Sequence, residues 1–72
     1  MVWNPLPTIN IVYEELQNIK GGTTDKELFI RLFRQYGIGK AEFYKALMTL
    51  EMKGLITVSM SGDELLIRLK EG

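Results

Sequence analysis

Apolar positions recur with helical spacing in three stretches of the chain and with alternating spacing in a fourth, and glycines stand between them. Beyond Pro7, residues Ile9, Val12, Tyr13, Leu16 and Ile19 fall on one helical face, which predicts a first helix over 7–20 that stops at Gly21-Gly22. Thr24-Asp25-Lys26-Glu27 matches a capping box, in which the hydroxyl and the Glu carboxylate each satisfy a free backbone amide. Behind it Leu28, Phe29, Leu32, Phe33 and Tyr36 form a stripe, predicting a second helix over 24–36 with Gly37 as a left-handed cap. Gly37-Ile38-Gly39 leaves room only for a tight turn. Phe43, Ala46, Leu47 and Leu50 then mark a third helix over 39–53, ended by Gly54. Past Gly54 the period drops from about 3.6 to about 2. Ile56, Val58 and Met60 alternate with Thr57, Ser59 and Ser61, and after the turn residues Ser61-Gly62-Asp63 the residues Leu65, Ile67 and Leu69 alternate with Leu66, Arg68 and Lys70. A hairpin over 55–70 follows, and residues 1–6 form an N-terminal extension to a single domain over 1–72.

The order of helix, helix, helix and hairpin predicts a mainly α (α+β) fold. The segment Gly37-Ile38-Gly39-Lys40-Ala41-Glu42-Phe43-Tyr44-Lys45-Ala46-Leu47-Met48-Thr49-Leu50-Glu51-Met52-Lys53-Gly54-Leu55-Ile56 resembles the turn and recognition helix of winged helix-turn-helix proteins. The resemblance extends from Thr24 to Lys70 and implies a three-helix winged helix-turn-helix with a C-terminal β-hairpin wing. It also implies that the outward face of the third helix enters the major groove of duplex DNA while the wing reaches a backbone or minor groove. Carried onto this chain, Lys40, Ala41, Tyr44 and Lys45 become the groove and phosphate residues, with Arg31, Arg34 and Arg68 as auxiliary backbone contacts. The implied role is that of a small DNA-binding transcriptional regulator or chromatin-associated factor, acting as a dimer.

Charge complicates this expectation. Nine Lys plus Arg balance nine Asp plus Glu, so the formal net charge is zero, whereas phosphate binders usually carry a basic excess. From Gly39 to Lys53 the cations Lys40, Lys45 and Lys53 exceed Glu42 and Glu51 by only one. The wing tip carries Asp63 and Glu64, which repel phosphate. Turning about 100° per residue from Phe43, the outward face of the third helix holds Ala41, Tyr44, Lys45, Met48 and Met52, with Thr49 at its margin. Flexible thioethers fit irregular apolar partners. An alternative reading is therefore a protein–protein interaction module or homodimer within a replication, transcription or repair assembly, its interface built from Tyr44, Met48, Met52 and Trp3.

The residue inventory narrows the chemistry further. With no Cys and no His there are no thiol nucleophiles, no imidazole triads and no zinc sites built on those ligands. The carboxylate pair Asp63-Glu64 alone is a poor metal site. The expectation is a non-enzymatic chain with no cofactor, no metal and no small-molecule substrate. No apolar run approaches the roughly 18 residues of a membrane span, and residues 1–5 lack the pattern of a signal peptide, so the expected location is cytoplasmic.

Overall fold

The computed structural model describes residues 7–70. In chain order these form α1 (Thr8–Asn18), β1 (Thr23–Thr24), α2 (Asp25–Tyr36), α3 (Lys40–Met52), β2 (Ile56–Ser61) and β3 (Glu64–Leu69). The strands make one antiparallel sheet in the order β1-β3-β2. Three helices closed by a β2–β3 wing constitute the winged-helix α+β fold.

Local chemistry accounts for the element ends. The Pro7 carbonyl accepts from the amides of Asn10 and Ile11, at 3.0 and 3.2 Å, so the helix begins at Thr8. At the other end Ile19 is extended, with φ −105° and ψ 115°, and α1 stops two residues short of the predicted 20. Gly37 adopts φ 70°, and its amide donates to the Phe33 carbonyl at 2.9 Å, the left-handed closure that a residue without Cβ supplies at little cost. The capping box forms on one side only. Thr24 Oγ1 accepts the Glu27 amide at 3.3 Å, while the Glu27 carboxylate accepts the Thr23 hydroxyl at 3.4 Å instead of a backbone amide. The extended Thr23–Thr24 pair sets that hydroxyl within reach. These two residues also pair with Ile67 and Leu66, adding a third strand to the expected hairpin.

Val12 and Leu16 from α1, Leu28 and Leu32 from α2, Phe43, Ala46, Leu47 and Leu50 from α3, Ile38 from the turn, and Ile56 and Ile67 from the wing form one buried cluster. Each large member fully withdrawn from water contributes about 1.5–3 kcal/mol of transfer free energy. The α2 stripe is narrower than its sequence pattern predicts, because Phe33 and Tyr36 are 55% and 56% exposed. The packed side of α2 centres on Leu28 and Leu32. Phe33 is turned about 100° from Leu32 and rests on the Phe29 ring at 5.8 Å, and Tyr36 lies at the helix end beyond the last buried residue.

Candidate nucleic-acid interface

The core residues of α3 determine which side of that helix is left to solvent. With Phe43, Ala46, Leu47 and Leu50 turned inward, Ala41, Lys45, Met48 and Met52 stand on the opposite side, and all four are exposed. Lys40, the first residue of the helix, is exposed as well. Lys40 and Lys45 make no ion pair among the described residues. Lys40, Ala41 and Lys45 thus share the first half of the presented surface, and Met48 and Met52, 63% and 85% exposed, occupy the second. The Thr49 hydroxyl at the margin donates to the Lys45 carbonyl at 2.9 Å and is committed within the helix. Glu42 accepts the Thr8 hydroxyl, which ties the start of α1 to the start of α3.

Tyr44 departs from the expected placement. It is half-buried on the flank of α3, and its hydroxyl donates to Asp25 Oδ2 at 2.5 Å. The other carboxylate oxygen of Asp25 accepts the Leu65 amide at 3.0 Å. One carboxylate therefore joins the first residue of α2, the flank of α3 and the start of β3 beside the wing tip. Asp25 is only 5% exposed. Burial pushes its carboxyl up, but the Tyr44 hydroxyl and the amides of Leu65, Lys26 and Asp25 itself outweigh this and hold it below the usual carboxylate value. Acceptance by that anion, with burial second, pushes the Tyr44 phenol up to about 12. The hydroxyl is thereby withdrawn from base reading. Asp25 is a linking residue that the sequence pattern hides, since its position in a capping box predicts a surface role.

All three auxiliary arginines are exposed, in different surroundings. Arg31 donates to Glu15 Oε2 of α1 at 2.9 Å, which places it on the α1 side of α2. Arg68 projects from the sheet face opposite the core, because its neighbours Ile67 and Leu69 on β3 pack inward. Arg34 remains on the exposed side of α2 beside Glu27, Ile30 and Gln35. At the wing tip Asp63 meets Lys26 of α2 at 3.2 Å, both exposed. The ammonium holds the Asp63 carboxyl below its usual value, and Asp63 raises Lys26. The acidic tip is thus partly compensated, leaving Glu64 as its net charge. Trp3 lies outside the described residues. Among the described residues no helix is long and apolar enough to cross a membrane, and no group of acidic side chains could hold a metal ion.

No family model matches the chain, and no curated protein matches it. Among solved structures it is similar to a chain of HOP2 from work on the DNA recognition and protein interaction domains and the homologous DNA pairing properties of that protein. The two superpose with a TM-score of 0.81 at 25% identity, covering 88% of this chain and 98% of the HOP2 chain. The similarity places the chain in the winged-helix fold class.

Proposed function

We propose that the chain is a non-enzymatic winged-helix module that binds duplex DNA through α3, with Lys40 and Lys45 on phosphates and Ala41 against the base edges. The observation that carries this reading is the likeness to the HOP2 chain, joined to an α3 whose outer side is open along its length. Arg34 is the remaining auxiliary contact. Lys40, Lys45 and Arg34 give few phosphate contacts, so binding is weak and salt dependent, with log K falling against log salt at a slope of about −3. In a dimer, two α3 helices about 34 Å apart reach successive major grooves, the arrangement suited to a transcriptional regulator or chromatin-associated factor. Fluorescence anisotropy with random duplex at low salt tests the reading. Saturable binding that weakens with salt at that slope supports it, and no binding at high micromolar protein overturns it.

A second reading has its own observation. Met48 and Met52 stand one helical turn apart, and no Arg, Asn or Gln lies between Lys40 and Met52 to read a base edge. That strip suits an apolar protein partner or a second copy of the chain. Sedimentation of the wild type against a Met48→Lys, Met52→Lys variant separates this reading from the first.

A further inference from the structure

A cleft lies away from α3, between the end of α1 and the outer face of the sheet. It has a volume of about 490 Å³ and is lined by Gln17, Lys20, Gly22, Thr57, Arg68 and Lys70 among others. Three of the chain's nine cations line it, no Asp or Glu does, and none of the three makes an ion pair among the described residues. We propose that this cleft binds the phosphodiester backbone of a nucleic acid, at a site separate from α3.

Several features favour an extended polyanion over a single small anion. Arg68 and Lys70 are two residues apart on β3 and its continuation, so their side chains leave the same face about 7 Å apart along the strand. The Lys70 amide donates to the Leu55 carbonyl at 3.0 Å, which holds that continuation against the start of the wing. Thr57 is the direct cross-strand partner of Arg68 and supplies a hydroxyl beside it. Lys20 closes the row from the turn after α1. The result is an open line of charge, where a lone phosphate would call for an enclosed cradle of converging donors.

The Arg68 stem lies close over Gly22. A Cβ on Gly22 would stand 2.6 Å from Arg68 Cγ and 2.9 Å from the Ile67 carbonyl oxygen, so the absent side chain is what lets the arginine stem lie across the turn. In a chain of zero net charge, this concentration of cations makes the outer sheet face locally basic where the wing tip is not.

NMR titration of the 15N-labelled chain with a short oligothymidylate, and separately with inorganic phosphate, tests the proposal. The expected result is that the amides of residues 20–22, 57 and 68–70 shift on adding the oligonucleotide. In an Arg68→Glu, Lys70→Glu variant that response weakens by about ten-fold or more, and the milder Arg68→Gln, Lys70→Gln variant falls between. Both variants change exposed side chains, and a wild-type melting curve confirms their folding. Lys45→Glu should leave the cleft response in place, which separates failure at α3 from failure here. The proposal is overturned if these amides stay still while oligonucleotide is added, if the charge reversals leave the response unchanged, or if inorganic phosphate saturates the cleft as tightly as the oligonucleotide.

Discussion

The Tyr44 hydroxyl donates to Asp25 Oδ2 at 2.5 Å across 19 residues of sequence, and this bond joins the two helices on either side of the turn. Because Asp25 is buried and also holds the Leu65 amide, loss of the phenol leaves an anion short of one partner in a poorly solvated place. Tyr44→Phe should therefore destabilise the fold by about 1.5–3 kcal/mol with little change in core volume. Urea unfolding followed by circular dichroism measures this. Asp25→Ala and the double variant complete a cycle, and a coupling energy near zero would contradict the link.

The same pair sets the pH range of stability. The folded phenol ionises at about 12 against about 10 for a free tyrosine, so its contribution is fully present below pH 10 and is lost as pH rises toward 12. A two-unit shift corresponds to about 2–3 kcal/mol, describing the same bond that Tyr44→Phe removes. Asp25 works in the opposite direction. Its carboxyl is lowered in the folded state, so its contribution is present above the ordinary carboxylate value and is lost as pH falls through the folded one. Melting temperature against pH should show a plateau between these limits. In the Tyr44→Phe variant the alkaline decline between pH 10 and 12 should be shallower, and ultraviolet absorbance should lose the tyrosine step at about 12.

These two residues mark where the sequence stops being legible. The helical stripes and the alternating wing are local patterns, so the order of the major elements follows from spacing alone, with ends displaced by one or two residues. Strand β1 is two residues long and exists only through pairing with β3, which no local period reports. The Asp25 link is likewise tertiary, reaching 19 residues to Tyr44 and 40 to Leu65. On a helical wheel Tyr44 sits about 100° from Phe43, a flank that the wheel alone assigns to solvent and that the fold turns toward Asp25 of α2. Arg31 and Arg68 are exposed as their residue type suggests, but only the fold tells that one faces α1 and the other the outer sheet.

Methionine exchange on α3 discriminates between the two readings of that face. Met48→Lys and Met52→Lys together add two cations where the groove reading places phosphates, so duplex binding should tighten and its salt slope steepen by about 2. Lys45→Glu should weaken binding and flatten the slope by about 1 or more. All three positions are exposed, so stability should move by no more than about 0.5 kcal/mol. Unchanged DNA binding in the methionine variant would leave the strip to a protein partner.

Gly21 and Gly22 offer a controlled comparison of backbone strain with steric exclusion. Both have positive φ, 84° and 92°, so alanine at either place carries the left-handed penalty of about 1–2 kcal/mol. A Cβ at Gly21 meets nothing within 4 Å, whereas at Gly22 it meets Arg68 Cγ at 2.6 Å and the Ile67 carbonyl oxygen at 2.9 Å. The arginine stem can move aside, but the carbonyl belongs to the residue paired with Thr23 and cannot shift without opening the β1–β3 ladder. Gly22→Ala should therefore cost more than Gly21→Ala, by about 1 kcal/mol or more. Amide exchange should show the excess as lost protection at Thr23, Thr24 and their β3 partners, while α3 keeps its own. Equal losses of stability in the two variants would mean that the turn yields more readily than the ladder, and that Gly22 is required for its φ alone.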